Sequence, residues 1–267
     1  MIAISLQSGS SGNCIYVESC GVKLLFDAGI SGIQAERRLA AHGRDIRQVD
    51  AVVISHDHID HICCAGVYQR KYGLPLYVTP KTLKSASERH RLGKLKDIRH
   101  FQSDGLLQFG KMHVQAIPTP HDGIDGAAFV VTSNNKRLGI LADLGHLFEG
   151  LGRVIASLDA VFIESNYDPD MLASRRYPAF LEKRIKGPEG HLSNIEAAEL
   201  LRHSGGDRLE WACLVHLSEN NNIPDLALPS DTPQDCESES YSLYSQSLYV
   251  NRGLVNLRLK MVKFLKG

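Results

Sequence analysis

Short apolar runs alternate with polar turns along the first half of the chain. We predict strands at the apolar runs 2–6, 14–18, 22–27 and 51–55, whose five or six residues match the length of a typical strand. A helical period over 33–42, ended by Gly43, predicts a helix, and further helices are predicted at 61–72 and 80–90. Strands separated by helices in this way are typical of a layered protein.

The second half continues the same alternation. Strands are predicted at 74–78, 98–101, 106–109, 112–118, 127–132, 137–142, 161–164 and 211–216. The segment 194–204 predicts a helix. Because strands come early and often, with helices between them, we predict an α/β protein rather than an all-β barrel.

Composition narrows the function classes. The 267 residues include 30 Lys and Arg, 30 Asp and Glu, 12 His and 6 Cys. Zero net charge excludes a histone-like protein that coats polyanions, although local basic patches stay possible. The N-terminus lacks the basic region of a signal peptide, and no apolar run approaches the roughly 20 residues of a membrane helix. The cysteines lack a CxxC spacing, so we expect neither a disulfide framework nor a thiolate zinc site, and a cytoplasmic location fits best.

The C-terminal stretch differs in character from the rest. Residues 229–247 are rich in Ser, Asp, Glu, Gln and Tyr, which is typical of a linker or a loose segment. Residues 252–266 carry five basic side chains and no acidic one. We therefore predict one domain over 1–225, followed by a divergent and partly loose segment over 226–267.

The segment with the most closely spaced potential metal ligands is HDHIDH at 56–61, directly after an apolar strand. Imidazoles and carboxylates crowded in this way are costly to bury without a partner, but together they suit Zn²⁺, Mn²⁺ or Fe. Four side chains from one loop cannot fill the coordination shells of two metals. Further ligand-type residues follow other apolar strands, namely His121, Asp143 and His216. The sequence thus predicts a metal site built from strand ends.

This order of ligands resembles the metallo-β-lactamase fold, a four-layer αβ/βα sandwich with a dinuclear metal site. The resemblance implies that His56, His58 and His121 hold one metal, that Asp60, His61 and His216 hold the other, and that Asp143 bridges them. It also implies that Asp27, in the segment LFDAG, braces the metal loop. The alternative for Asp27 is a simple strand-end cap.

Two further segments resemble ribonuclease Z within this fold. The turn GHLSN at 190–194 and the strand end LVHLS at 214–218 match its catalytic histidine turn and its ligand histidine. The resemblance implies catalytic roles for His191, for Glu164, which lies 21 residues after Asp143, and for Asp60. A carboxylate beside an imidazole favours the imidazolium, which can protonate a leaving alkoxide. The alternative for His191 is an exposed residue of a helix-capping loop.

Longer segments over about 1–225 resemble the WalJ (YycJ) branch of the same superfamily. They are SGSSGN at 8–13, SNYD at 165–168, RYP at 176–178, GHLSN at 190–194, HLS at 216–218 and NNN at 220–222. Members of that branch are described as metal-dependent DNA exonucleases that act 5′ to 3′. The resemblance implies that activity here, with phosphodiester bonds cleaved by a hydroxide held between two divalent ions, Zn²⁺ or Mn²⁺ or Fe.

Two basic clusters are compatible with a nucleic-acid partner. Residues 84–100 hold six basic side chains against two acidic ones, and 175–186 hold five against one. Such patches can follow phosphates while aromatics stack on bases, although a charge run is more often a solvated face. The predicted substrate-binding residues are Arg175, Arg176, Tyr177, Lys183, Arg184 and Asn194. The turn at 8–13 either binds an anion or is only a hairpin turn.

Three functions are weighed. The first is a dinuclear phosphodiesterase of the nuclease type, with DNA favoured over RNA. The second is a small-molecule phosphodiesterase acting on a cyclic nucleotide or a phosphonate-pathway ester, and the basic clusters argue against it. The third is a metal-binding or scaffolding protein without catalysis, which the complete set of seven predicted ligands together with His191 disfavours.

Overall fold

The computed structural model describes residues 1–175, 177–227, 248–253 and 256–258, the last two ranges as backbone alone. The predicted substrate contact Arg176 and the predicted linker 229–247 lie outside these residues. The chain divides into two compact units. The first contains residues 1–118 and 123–135, and the second contains 119–122 and the described residues from 136 onward.

The first unit contains a six-stranded mixed sheet. Its strands, in both chain and spatial order, are β1 (Ile2–Gln7), β2 (Cys14–Ser19), β3 (Val22–Phe26), β4 (Ala51–Val53), β5 (Leu76–Val78) and β6 (Ile98–His100). Pairing is antiparallel from β1 to β3 and parallel from β3 to β6. The helices are α1 (Gly32–Ala41), α2 (Ile59–Ile62), α3 (Ala65–Tyr72) and α4 (Pro80–Arg89). Three further strands, β7 (Leu106–Phe109), β8 (Met112–Pro118) and β9 (Ala127–Ser133), pair antiparallel.

The second unit is built on three parallel strands. These are β10 (Lys136–Leu141), β11 (Ala160–Glu164) and β12 (Trp211–Val215), and they are followed by antiparallel β13 (Leu248–Gly253) and β14 (Asn256–Arg258). Its helices are α5 (Leu151–Ala156), α6 (Pro169–Ser174), α7 (Ala179–Lys186), α8 (Asn194–Ser204) and α9 (Pro224–Ala227). Since β10, β11 and β12 run in the same direction, the residues at their carboxyl ends meet at one edge of this sheet.

Burial explains why the apolar runs form strands. The side chains of Leu24, Leu25 and Phe26 on β3 are all fully buried, and β11 is buried along its whole length. Continuous apolar runs of this kind suit parallel strands that are covered on both faces. The helix α1 begins at a capping box between Ser31 and Gln34, which satisfies two main-chain donors of its first turn. Burial of apolar side chains therefore stabilises the predicted strands, and capping fixes where the predicted helix α1 begins.

The predicted α/β class is confirmed, and three details of the element prediction are wrong. The strand at 211–216 is predicted as the last one, but β13 and β14 follow it. The predicted helix 61–72 is two helices, α2 and α3, separated at Cys63 and Cys64. Helices α5, α6, α7 and α9 were not predicted, because each has eight residues or fewer and shows little periodicity. The domain boundary at 225/226 stays a prediction. Each helix that the structure places is too short or too polar to cross a bilayer.

Several strands are followed by a non-glycine residue in the left-handed backbone conformation, and three of these residues belong to the predicted metal centre. Asp27 after β3, Asp143 after β10 and His216 after β12 have positive φ angles of 66°, 53° and 59°. This left-handed region is sparsely populated by residues other than glycine and costs about 1–3 kcal/mol at each position. Strain of this kind accumulates at functional sites, and these three residues are all predicted members of the metal centre.

Candidate metal centre

The loop 56–61 of the first unit brings the four predicted ligands of HDHIDH together. The ring centroid of His56 lies 4.5 Å from that of His58 and 4.1 Å from that of His61. Asp60 Oδ2 lies 3.4 Å from His61 Nε2. His56 and His61 are buried. Imidazole and carboxylate groups packed this closely inside a protein form a donor set that fits a divalent cation.

Asp27 supports this loop from the end of β3. Its Oδ2 lies 2.8 Å from His61 Nδ1, and its Oδ1 accepts the main-chain N–H of Ser55 at 2.8 Å. The Ser55 hydroxyl donates to Oδ2 at 3.0 Å. A carboxylate at Nδ1 fixes the imidazole tautomer, with the proton on Nδ1 and the lone pair on Nε2, and it makes that lone pair more basic.

We expect the substitution Asp27→Asn to weaken metal binding about 10–100-fold, the effect typical of partners that orient a ligand histidine. The amide lacks the charge that raises the basicity of His61. A competition titration against a chromophoric chelator measures this affinity directly. The matched control is Asp104→Asn, an exposed aspartate of the same unit. An affinity equal to that of the wild type would contradict the role of Asp27.

Asn13 also contacts this loop, and the sequence did not predict it. Its Nδ2 lies 2.9 Å from His61 Nε2 and 3.1 Å from Asp60 Oδ2, while its main-chain N–H donates to Asp60 O at 2.8 Å. The preceding turn packs tightly, since a Cβ on Gly12 would lie 2.4 Å from Gly29 O. The turn 8–13 therefore holds the metal loop. The sequence feature that could have indicated this role is the position of Asn13 directly after a run of Gly and Ser residues.

Asp57, inside the same motif, anchors the loop to the rest of the unit. Its carboxylate is fully buried, accepts from the Ser85 hydroxyl and lies 3.0 Å from Arg89 Nη1. Its Oδ1 accepts the main-chain N–H of Ile124 at 2.8 Å. At least one cation of the basic segment 84–100 is therefore engaged within the protein.

The strand ends of the second unit form another cluster of ligand-type side chains. Asp143, Glu164, His191 and His216 each offer one atom, and these atoms all lie within 4.8 Å of one another. Asp143 Oδ1 lies 3.3 Å from His216 Nδ1 and 3.5 Å from His191 Nδ1. The parallel strands thus bring together Asp143 and His216, which are 73 positions apart in the sequence.

His121 adds a further imidazole to this cluster. Its Nδ1 lies 2.8 Å from the carbonyl oxygen of Gly190, which places the proton on Nδ1 and the lone pair on Nε2. That Nε2 lies 3.5 Å from Asp143 Oδ1. Two acceptor atoms at this distance inside a protein repel each other unless a cation lies between them. The residues present therefore fit a bound divalent ion.

Glu164 and His191 form the pair that the sequence predicted as catalytic. His191 Nδ1 lies 2.7 Å from Glu164 Oε1, and Glu164 Oε2 accepts the main-chain N–H of Leu144 at 3.0 Å. Burial by itself raises the pKa of Glu164, but the charge and hydrogen bond of His191 and the hydrogen bond of His216 outweigh it and lower the pKa to about 2. The carboxylate is thus ionised at neutral pH and orients the imidazole.

Buried amides position the ligand-bearing strand ends. Asn166 Nδ2 donates to the carbonyl oxygen of His216 at 2.9 Å, and Asn222 Nδ2 donates to those of Ser165 and Asn166 at 2.9 Å and 3.1 Å. Asn194 Oδ1 accepts from the Ser165 hydroxyl at 2.6 Å. The predicted substrate contact Asn194 is itself buried, and its Nδ2 donates to Asn222 Oδ1. These contacts favour a positioning role for Asn194.

The other predicted substrate contacts lie on or just before α7. Arg175 and Lys183 are exposed, and Tyr177 is half-buried. Arg184 donates from Nε to Asp122 Oδ2 at 2.6 Å, next to His121. Arg184 therefore lies near the cluster that contains His121 and Asp143, and contact of these residues with a substrate stays a prediction.

Known proteins resemble this chain both in sequence and in fold. The beta-lactamase superfamily domain matches residues 23–217. Over 224 residues the chain is 35% identical to exodeoxyribonuclease WalJ of Streptococcus pneumoniae, covering 83% of each chain. It is 34% identical over 224 residues to exodeoxyribonuclease YycJ of Bacillus anthracis, covering 83% of this chain and 84% of that one. The crystal structure of the metallo-beta-lactamase fold protein YhfI of Bacillus subtilis aligns with a TM-score of 0.64 at 20% identity, covering 84% and 88% of the two chains.

Proposed function

This chain belongs to the beta-lactamase superfamily and is a metallo-hydrolase, and we propose that it is an exonuclease that hydrolyses phosphodiester bonds of DNA. The observation that carries the proposal is the His191–Glu164 pair next to Asp143 and His216, in a chain whose relatives are named exodeoxyribonucleases. The 5′ to 3′ direction and the cytoplasmic location are also proposed, the first from the resemblance and the second from the sequence.

The proposed ligand set follows the family resemblance. It assigns His56, His58 and His121 to one ion, Asp60, His61 and His216 to a second, and Asp143 to both. Imidazole and carboxylate donors admit Zn²⁺, Mn²⁺ or Fe. Divalent ions supply an activated water and stabilise the charge that develops on the phosphate.

The protein's own groups supply the proton chemistry. Glu164 holds Nδ1 of His191, so the opposite nitrogen, Nε2, is the one that can meet a substrate. Only 16% of the His191 side chain is exposed. Its imidazole can therefore contact only a substrate group that enters the cluster of Asp143, Glu164 and His216. We assign His191 as the acid that protonates the departing alkoxide and Glu164 as the group that orients its imidazole through Nδ1. Asp60 lies beside His61 in the metal loop, where it serves as a ligand in the same reaction.

A direct assay on the full chain tests this proposal. The purified protein is stripped of metal, reloaded with Zn²⁺ or Mn²⁺, and given end-labelled single- and double-stranded DNA and RNA, with bis-p-nitrophenyl phosphate in parallel. We expect stepwise shortening of DNA that depends on the added ion. Hydrolysis of the small ester without cleavage of any polymer would favour a small-molecule phosphodiesterase. A protein that binds no metal and gains no activity on metal addition would overturn both enzymatic functions.

A further inference from the structure

Helix α7 has no fully buried residue, and its apolar side chains Leu181 and Ile185 are only half-buried. A helix in a globular protein normally packs an apolar stripe against a core, and one of this length has little stability by itself in water. Phe180, in its first turn, is 74% exposed. The half-buried Leu181 and Ile185 form the packed side of this helix, and the ring of Phe180 stays accessible to a binding partner.

Polar contacts tie α7 to the candidate site within the same unit. The Arg184 side chain donates to Asp122, the residue after His121, at 2.6 Å. The carbonyl oxygen of Ile185 accepts the main-chain N–H of His191 at 3.0 Å. The turn between them is close-packed, since a Cβ on Gly190 would lie 2.1 Å from Ile185 O. The helix is therefore held in a defined position next to the proposed acid.

The charge of α7 identifies the class of partner. Lys183, Arg184 and Lys186 are basic and exposed. Arg184 forms an ion pair with Asp122 and Lys186 forms one with Glu182, so a phosphate contact is expected at Lys183. Cations that follow a phosphate backbone, combined with an aromatic ring on which bases stack, are typical of surfaces that bind single-stranded nucleic acid. A duplex hides the faces of its bases inside the stack, so an exposed ring selects an unpaired nucleotide.

We propose that Phe180 is a stacking platform for an unpaired base of the substrate strand, with Lys183 on the adjoining backbone. This inference rests on the proposed nuclease function and specifies its substrate as a strand with an unpaired segment at the site. Ile185 lies five positions after Phe180, which is about 7.5 Å along a helix axis. That length corresponds to about two base steps of 3.4 Å. The stacked base is therefore expected within a few nucleotides of the bond that is cleaved.

Substitutions of Phe180 test the stacking directly. Phe180→Ala and Phe180→Leu are compared with Phe180→Trp, which keeps an aromatic face, and with Leu106→Ala, a control at a side chain that is 68% exposed in the other unit. Base stacking on an aromatic side chain contributes about 1–3 kcal/mol, so we expect KM for single-stranded DNA to rise about 5- to 150-fold in the Ala and Leu variants. Phe180→Trp and the control should keep the wild-type KM. The kcat on bis-p-nitrophenyl phosphate should not change in any of them.

A binding measurement separates this inference from the nuclease proposal. An oligonucleotide carrying 2-aminopurine is titrated into the metal-stripped protein, so that no cleavage occurs. Quenching that is present in wild type and Phe180→Trp but lost in Phe180→Leu supports stacking even if cleavage proves absent. DNA cleavage by the wild type with equal KM and equal quenching in Phe180→Leu would overturn the stacking role and leave the nuclease function standing. Absence of oligonucleotide binding by the wild type would also overturn it.

Lys183→Ala tests the backbone contact. One lost phosphate contact should make the slope of log affinity against log salt concentration less negative by about 0.7 for a single strand. The same titration with Lys111→Ala, a basic residue of the first unit outside the two predicted basic clusters, is the control. An unchanged slope in Lys183→Ala would remove that contact from the proposal.

Discussion

The substitution Asp143→Asn is expected to reduce kcat/KM on DNA by about 10³-fold or more. Asp143 Oδ1 lies 3.5 Å from His121 Nε2 and 3.3 Å from His216 Nδ1, so its charge belongs to the group that fits a cation. Stabilisation by a bound ion amounts to several kcal/mol, and each 1.36 kcal/mol changes the rate tenfold. Asparagine is chosen because it tolerates the left-handed backbone that Asp143 adopts at φ 53°.

The measurement is metal content by plasma mass spectrometry together with kcat/KM on DNA and on bis-p-nitrophenyl phosphate. We expect both substrates to be affected, because the ion acts on the phosphate whichever group departs. The control Asp104→Asn changes an exposed aspartate and should retain metal and activity. Thermal unfolding of both variants excludes misfolding as the cause. Full metal content with full activity in Asp143→Asn would contradict the ligand assignment.

The substitution His191→Ala is expected to lower kcat on DNA about 10²- to 10⁴-fold while metal content stays at the wild-type level. That range is the usual contribution of a positioned general acid. The alkoxide that leaves from DNA needs a proton, whereas p-nitrophenolate is a stable anion and needs none. The loss should therefore be much smaller on bis-p-nitrophenyl phosphate than on DNA, and this difference is specific to proton donation.

Two further variants complete this test. His203→Ala removes an exposed histidine of the same unit and should leave both activities unchanged. Glu164→Gln keeps the shape of the side chain but removes the charge that faces His191 at 2.7 Å, so it should show the same substrate dependence as His191→Ala. Equal losses on both substrates in His191→Ala would indicate that the residue has a role other than acid catalysis.

The α/β class and the elements that carry the site could be predicted from sequence. The buried parts of β3 and β11, residues 24–26 and 160–163, are apolar runs, and ligand-type residues stand out when they follow such runs, as Asp27 and Glu164 do. Parallel strands then determine which ends come together, so local patterns imply a non-local cluster. The role assigned to His191 came from the resemblance, and its contact with Glu164 agrees with that expectation.

The supporting contacts could not be predicted in the same way. Asn13 meets Asp60 across 47 residues and Asn222 meets Ser165 across 57, through single amide groups that leave no periodic signal. Asp57 lies within the ligand motif, yet its side chain bonds to Ser85 and the main chain of Ile124 instead. Composition alone cannot distinguish such a carboxylate from a ligand. Only the folded chain shows which polar groups are already satisfied.

The left-handed residues at the ends of β10 and β12 have a consequence for laboratory evolution of this protein. Glycine adopts that backbone conformation without strain. Replacing Asp143 or His216 with glycine therefore removes a backbone strain of about 1–3 kcal/mol at each position. Removing Asp143 also relieves its repulsion of Glu164 in protein that carries no metal. A library selected only for soluble yield or heat resistance in a chelating medium would therefore be enriched early in substitutions of Asp143 and His216, which remove the proposed metal ligands. Selection for robustness has to be coupled to selection for turnover.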